Sequence, residues 1–142
     1  MSPLVYSDTL LRRVLSDCKV IAVVGASPKP SRPSYGVMRF LLASGYRVIP
    51  VNPGQAGQTI LDQPCYAALA DIPEPVDMID IFREVGAVPG IVDAALALTP
   101  RPKAIWMQLA IRDDAAAAKA ETAGLTVIMD RCPAIEIPRL AR

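Results

Sequence analysis

Apolar runs of strand length alternate along this chain with stretches whose apolar residues recur at helical spacing. Leu10, Leu11, Val14 and Leu15 form the first such stripe. It predicts a helix that Ser7 or Asp8 caps, by accepting from unpaired N–H groups of its first turn, and that ends before Lys19. The continuous run Val20 to Val24 predicts a strand covered on both faces, and it stops abruptly at Gly25. After Ala26 and Ser27 a second helix runs from about Ser34 to Ala43. Ser34 is its cap, Val37, Phe40 and Leu41 form its apolar side, and Gly45 is the left-handed residue that ends it. Tyr46 to Val51 is the next strand, closed by the turn Asn52-Pro-Gly-Gln55. Pro50 lacks an N–H and weakens the ladder near that strand's carboxyl end.

The segment from Ala56 to Pro75 predicts a short edge strand at Thr59-Ile-Leu61, a helical turn from Tyr66 to Ala70 and a proline-rich connection. Val76 to Phe82 is a strand, and Ala87 to Leu98 is a helix with Val88, Ile91, Val92 and Ala95 on one face, ended by Pro100 and Pro102. Ala104 to Gln108 is a further strand. Asp113 or Asp114 caps an alanine-rich helix that stops at Gly124, and Leu125 to Met129 is the last strand. The apolar segment Ile135 to Leu140 either packs on the domain or meets a second subunit. This alternation predicts an α/β fold: a doubly wound, mostly parallel Rossmann-like sheet of five or six strands flanked by helices, with the first strand central. Ligands of such sheets bind beyond the carboxyl ends of the strands. The candidate ligand loops are therefore Gly25 to Tyr35, Asn52 to Gln58, Phe82 to Gly86, Gln108 to Arg112 and Asp130 to Pro133.

Composition narrows what those loops can do. With 142 residues, 52% hydrophobic and 20% charged, the chain is expected to be one domain, 1–142. The absence of membrane-length apolar runs and of a basic-then-apolar leader predicts a cytoplasmic protein with no membrane partner. A net charge of +1 without a basic run gives nucleic acid no electrostatic support. The three cysteines, Cys18, Cys65 and Cys132, are far apart and suit a reducing compartment. There is no histidine, which removes the usual zinc sites, His-based triads and any phosphohistidine relay.

The loop after the first strand places backbone N–H groups and the positive end of a helix dipole at the sheet edge, where a phosphate would be stabilised. The G-x-G-x-x-G spacing of dinucleotide sites is missing from Gly25-Ala-Ser-Pro-Lys-Pro30. Asn52 and Pro53 stand where an acid would hold an NAD ribose, and no G-x-x-x-x-G-K-[ST] occurs. Gly25-Ala-Ser27, Val51-Asn-Pro53, Val76-Asp-Met-Ile-Asp-Ile-Phe-Arg83, Trp106-Met-Gln108 and Asp130-Arg-Cys-Pro133, in that order at the loop positions, resemble the small stand-alone CoA-binding proteins. That family is related to the CoA-binding domain of succinyl-CoA synthetase alpha subunits. The resemblance covers roughly Lys19 to Leu140.

The resemblance implies that coenzyme A is the ligand and that Gly25, Ala26, Ser27 and Pro28 line its nucleotide, with backbone N–H groups on the phosphates. It implies that Asn52 and Pro53 lie against the adenosine part, that Phe82 and Arg83 border the cleft, and that Gln108 sits near the pantetheine, where the synthetases have an acid. Gln55 replaces a lysine of the larger family, and Lys29 or Arg32 can substitute for it from the first loop; Ser34 completes the candidate set. Without histidine the synthetase chemistry is not implied, so the expectation is no enzyme but a module that binds CoA or acyl-CoA. A homodimer or a further protein partner is left open. The competing readings are an NAD(P)-dependent oxidoreductase or redox sensor on the same fold, and the CoA-binding subunit of a split acyl-CoA ligase.

Several residues also have plainer readings. Lys29 and Arg32 can be solvated loop charges, and Ser27 a cap or phosphate donor in place of a nucleophile. Asp77 and Asp80, three positions apart on a strand, point to opposite faces, so one is expected to be solvated or a cap and the other hydrogen-bonded to a loop. Trp106 and Met107 read as sheet core. Cys132 is either an inert, half-buried thiol or, beside Arg131, a thiolate able to form a mixed disulfide with the CoA thiol.

Overall fold

Five parallel strands form the main sheet of the computed structural model, which describes residues 2–141. They are β1 (Val20–Val24), β2 (Arg47–Val51), β5 (Met78–Ile81), β6 (Ala104–Met107) and β7 (Thr126–Ile128), in the order β2-β1-β5-β6-β7. The helices are α1 (Asp8–Asp17), α2 (Pro33–Ala43), α3 (Val88–Leu96), α4 (Asp114–Thr122) and α5 (Pro133–Leu140). β3 (Thr59–Ile60) and β4 (Gln63–Pro64) form a separate antiparallel hairpin. The expected doubly wound α/β architecture is thus present.

Strand periodicity divides the apolar residues into two cores. Ile21, Val23, Val48, Met78, Trp106 and Ile128 face α1, α2 and α5. Their neighbours Ala22, Val24, Ile49, Ile79, Ile81, Ile105, Met107 and Val127 face α3 and α4. Both faces are covered, which is why the strands read as apolar runs without alternation. Trp106 and Met107 are fully buried, as expected. The Trp106 indole Nε1–H donates to the Arg131 carbonyl at 3.0 Å, so its one polar atom is paired.

Several boundaries differ from the sequence reading. β1 lies one strand in from the edge and β5 occupies the middle, because the chain adds only β2 on one side before crossing to the other. Pro50 sits in edge strand β2. Thr59 and Ile60 pair with β4 and not with the main sheet, across a turn in which Leu61 (φ 50°) and Asp62 (φ 63°) are both left-handed. Tyr66 does not start a helical turn: it bridges Val51 in parallel, its N–H donating to the Pro50 carbonyl. The turn forms later, over Leu69–Asp71. Ser34 is not the cap of α2; the helix begins at Pro33, with Arg32 in the cap position and no side-chain capping bond. α5 has no counterpart in the sequence reading and packs on its own domain: Leu140 joins the core, the Arg12 Nε–H donates to the Leu140 carbonyl, and Arg139 pairs with Asp8 at 3.0 Å.

Candidate functional site

The direction of winding reverses between β1 and β5, since the chain leaves β1 toward β2 and returns to place β5 on the other side. Gly25 ends β1 at this point with φ +90°. A Cβ there would stand 2.5 Å from the Phe82 carbonyl oxygen and 3.0 Å from Arg83 Cδ, so two backbones meet at a distance only glycine permits. The Gly25 and Ala26 N–H groups both donate to the Val51 carbonyl, at 3.0 and 3.3 Å. Ser27 N–H donates to Ser34 Oγ at 3.1 Å, and Lys29 N–H to Ser27 Oγ at 3.1 Å.

Those bonds correct an expectation. The loop N–H groups of Gly25, Ala26, Ser27 and Lys29 are engaged within the protein and do not point freely at a ligand. Pro28 and Pro30 carry none. The groups left to meet an anion are the side chains of Lys29 and Arg32, which make no ion pair among the described residues, and the positive end of the α2 dipole. In its first turn no side chain caps the helix, but Pro33 has no N–H and the Tyr35 N–H donates to the Arg32 carbonyl at 3.1 Å. Ser34, nearly fully buried, holds the loop against α2.

Asn52 ties the second loop to the first. Its Nδ2 donates to the Ala26 carbonyl at 2.7 Å, and its Oδ1 accepts from Gly54 N–H at 2.9 Å. Asn52→Ala removes both bonds from a half-buried position, and we expect a loss of about 1 kcal/mol of stability, read by urea unfolding. An unchanged midpoint would mean that Pro53 and its turn hold the loop without the side chain.

A cleft of about 620 Å³ opens over this edge. Gly25, Ala26, Ser27, Pro28, Lys29, Arg32, Ser34, Asn52, Phe82, Arg83 and Gln108 all line it. Pro53 does not; it lines a second cleft of about 630 Å³ on the α3 side, which shares Gly25, Asn52 and Arg83 with the first. Arg83 therefore stands between the two, its guanidinium paired with Glu84 at 3.0 Å, and this exposed pair holds Glu84 below the usual carboxylate range. Pro33, Gln55, Leu109 and Ile111 also line the first cleft, inside the expected ligand loops though not among the expected site residues, whereas Ala67, Ala68, Gly90 and Ala94 of the second cleft lie outside those loops. Those four small residues carry no chemical signature. The one available signal was Gly90 and Ala94, a helical turn apart on α3.

Three buried side-chain oxygens lack a partner among the described residues: Oδ1 and Oδ2 of Asp80 and Oε1 of Gln108. Asp80 lies on β5 in register with Val23 and Trp106, on the α1–α2–α5 face, with 0% of its surface exposed. Burial pushes its carboxyl well above the ordinary value. Asp80 is thus neither solvated nor bonded to a loop; Asp77 takes the loop role, its Oδ2 accepting from Lys19 and Val20 N–H at 2.9 and 3.0 Å. Cys132 is buried at the start of α5. The neighbouring Arg131 does not serve it: the guanidinium donates to the Leu4 and Asp130 carbonyls and lies over the Tyr6 ring. Cys18, Cys65 and Cys132 are all free thiols. Among the described residues no group of three or more Asp, Glu or Cys could hold a metal ion, and no helix is long and apolar enough to cross a membrane.

Comparison with known proteins places this geometry in a family context. The CoA binding domain family matches residues 19–138. The protein YneT of Bacillus subtilis (strain 168) is 34% identical over 126 residues, covering 89% of this chain and 90% of that protein. A solved structure from Thermus thermophilus, cell-free ID.343, superposes with a TM-score of 0.89 at 41% identity, covering 95% of this chain and 99% of that one. The acetate–CoA ligase (ADP-forming) II of Archaeoglobus fulgidus is 34% identical over 76 residues, 52% of this chain but 11% of the ligase.

Proposed function

The chain belongs to the CoA binding domain family, and from that premise we propose that it binds coenzyme A or an acyl-CoA as a non-catalytic module that senses, carries or presents the ligand. The observation that carries the reading is the glycine-floored cleft at the sheet's switch point, with Lys29 and Arg32 unpaired beside the uncapped start of α2. Two adjoining clefts of about 620 and 630 Å³ suit a long ligand with a nucleotide at one end and a flexible arm at the other. The phosphates lie at Lys29 and Arg32, the adenosine lies against Asn52 and Pro53, and the arm runs past Phe82 toward Gln108.

The hydroxyls in the cleft support a binding role over a catalytic one. Ser27 Oγ and Ser34 Oγ each accept from a backbone N–H, and with no histidine in the chain neither has an imidazole base. Asn52 uses both ends of its amide within the protein, which leaves no acid at that position for an NAD ribose.

A thermal-shift panel of CoA, acetyl-CoA, NAD+, NADP+ and ATP tests the proposal. Ligand at ten times its dissociation constant stabilises the native state by about 1.4 kcal/mol, which raises the midpoint of this chain by on the order of 5 °C. We expect that shift from the CoA compounds alone. A shift with NAD+ or NADP+ and none with CoA would replace the proposal with the redox reading.

A further inference from the structure

We infer that the Gln108 end of the cleft selects free CoA and acyl-CoAs with small uncharged acyl groups over those whose acyl group ends in a carboxylate. The inference rests on the CoA reading above and deepens it. The carboxyl ends of neighbouring strands stand about 5 Å apart, so Gln108, after β6, lies two strands or roughly 10 Å from Gly25. With phosphates at Lys29 and Arg32 and adenosine on the β2 side, the thiol end of the ligand points to β6.

The chemistry of that end is distinct. Gln108 is only 6% exposed, yet it lines the cleft and its Oε1 has no partner. Oε1 is itself shut off from solvent, so this end of the cleft offers a ligand a neutral, largely buried amide and no charged group. Around it stand Phe82, Ile111 and Leu109, the last 49% exposed, so the walls are apolar. The cations near this end are committed elsewhere: Arg83, at the end of the neighbouring strand, pairs with Glu84 at 3.0 Å, Arg112 pairs with Asp114 at 2.7 Å, and Arg131 holds the Leu4 carbonyl and the Tyr6 ring. Below, on the same sheet face, lies the unpaired acid Asp80. A ligand carboxylate at this end would lose its water and gain no counter-charge, while an acetyl group would meet apolar walls and a neutral amide.

The test is calorimetric titration of CoA, acetyl-CoA and succinyl-CoA into the wild-type protein and into Leu109→Arg, which sets a cation at the exposed rim without touching Gln108. In the wild type we expect CoA and acetyl-CoA to bind within about threefold of each other and succinyl-CoA to be weaker by about tenfold or more. In Leu109→Arg, succinyl-CoA should regain most of that deficit relative to acetyl-CoA. Equal binding of succinyl- and acetyl-CoA by the wild type would overturn the inference and leave the CoA site standing. So would binding of CoA with both acyl forms excluded, since that end would then admit no acyl group. A Leu109→Arg protein that keeps acetyl-CoA but gains nothing for succinyl-CoA would place the thiol end elsewhere and overturn the inference in the same way. Failure of all three ligands would remove the CoA reading itself.

Discussion

Replacing Gly25 by alanine should destabilise the protein by about 2–5 kcal/mol and abolish the thermal shift with CoA. The left-handed backbone alone costs a non-glycine residue roughly 1–2 kcal/mol. The larger part comes from the new Cβ, which would sit 2.5 Å from the Phe82 carbonyl oxygen, a backbone atom that cannot rotate away. Phe82 cannot withdraw freely either, because its N–H donates to the Val24 carbonyl at 2.8 Å. Gly45→Ala separates the two costs. Gly45 has φ +93°, but an added methyl carbon there would meet no atom within 4 Å, so its substitution carries the conformational penalty without the collision. The midpoint should fall by on the order of 10 °C or more for Gly25→Ala and by clearly less for Gly45→Ala. Equal losses would show that the Phe82 carbonyl yields without cost, and the close approach of the two loops would lose its significance.

The second large effect has the opposite sign. Asp80→Val should stabilise the protein by about 1–3 kcal/mol at neutral pH, because it replaces an unpaired carboxyl in the core with a β-branched apolar side chain suited to a strand. Asp80→Asn separates charge from polarity. In the native state burial raises the Asp80 carboxyl well above its ordinary 3.8, so the folded chain holds a proton that the unfolded chain releases. Below that ordinary value both states are protonated and Asp80 exacts no ionisation penalty. As pH rises above it, stability falls by up to about 1.4 kcal/mol per pH unit from this group, until the folded carboxyl itself ionises. Urea unfolding between pH 4 and pH 8 should show that decline in the wild type and its absence in both variants. If Asp80→Asn and Asp80→Val are each less stable than wild type at pH 7, the carboxylate has a partner in solution and the core bears no such cost.

The order of elements was readable because both faces of the sheet are covered: strands such as Val20 to Val24 appear as unbroken apolar runs, and Gly25, Gly45 and Gly124 end elements where a left-handed residue is needed. What the sequence concealed has particular causes. Leu61 and Asp62 adopt the left-handed turn of the β3–β4 hairpin without the asparagine or glycine that announces one. Two prolines masked α5, although Pro133 occupies the first turn, where its missing N–H costs nothing, and Pro138 lies near the other end of the helix. The candidate site was legible wherever it consists of polar or loop residues at strand ends, from Ser27 to Gln108. Its α3 wall was not, since alanine and glycine on a helix look the same whether they face a core or a cleft. The internal use of the loop N–H groups was equally hidden, because it depends on Ser34 turning inward toward Ser27.

The all-parallel pairing of the main sheet has a kinetic consequence. No two neighbouring strands of that sheet can be joined by a tight hairpin, so each pairing closes a long loop before any contact rewards it. The cleft inherits this delay. Gly25 is fixed by Val51, Phe82 by Val24, and Gln108, whose N–H reaches the Ile81 carbonyl at 3.2 Å, by β5. Each of these three loops is thus anchored to the end of a strand other than its own, and no single strand–loop–helix unit contains a finished site. In a refolding experiment, ligand competence should appear together with the last cooperative phase and not with early helix formation, which makes binding a reporter of the completed sheet.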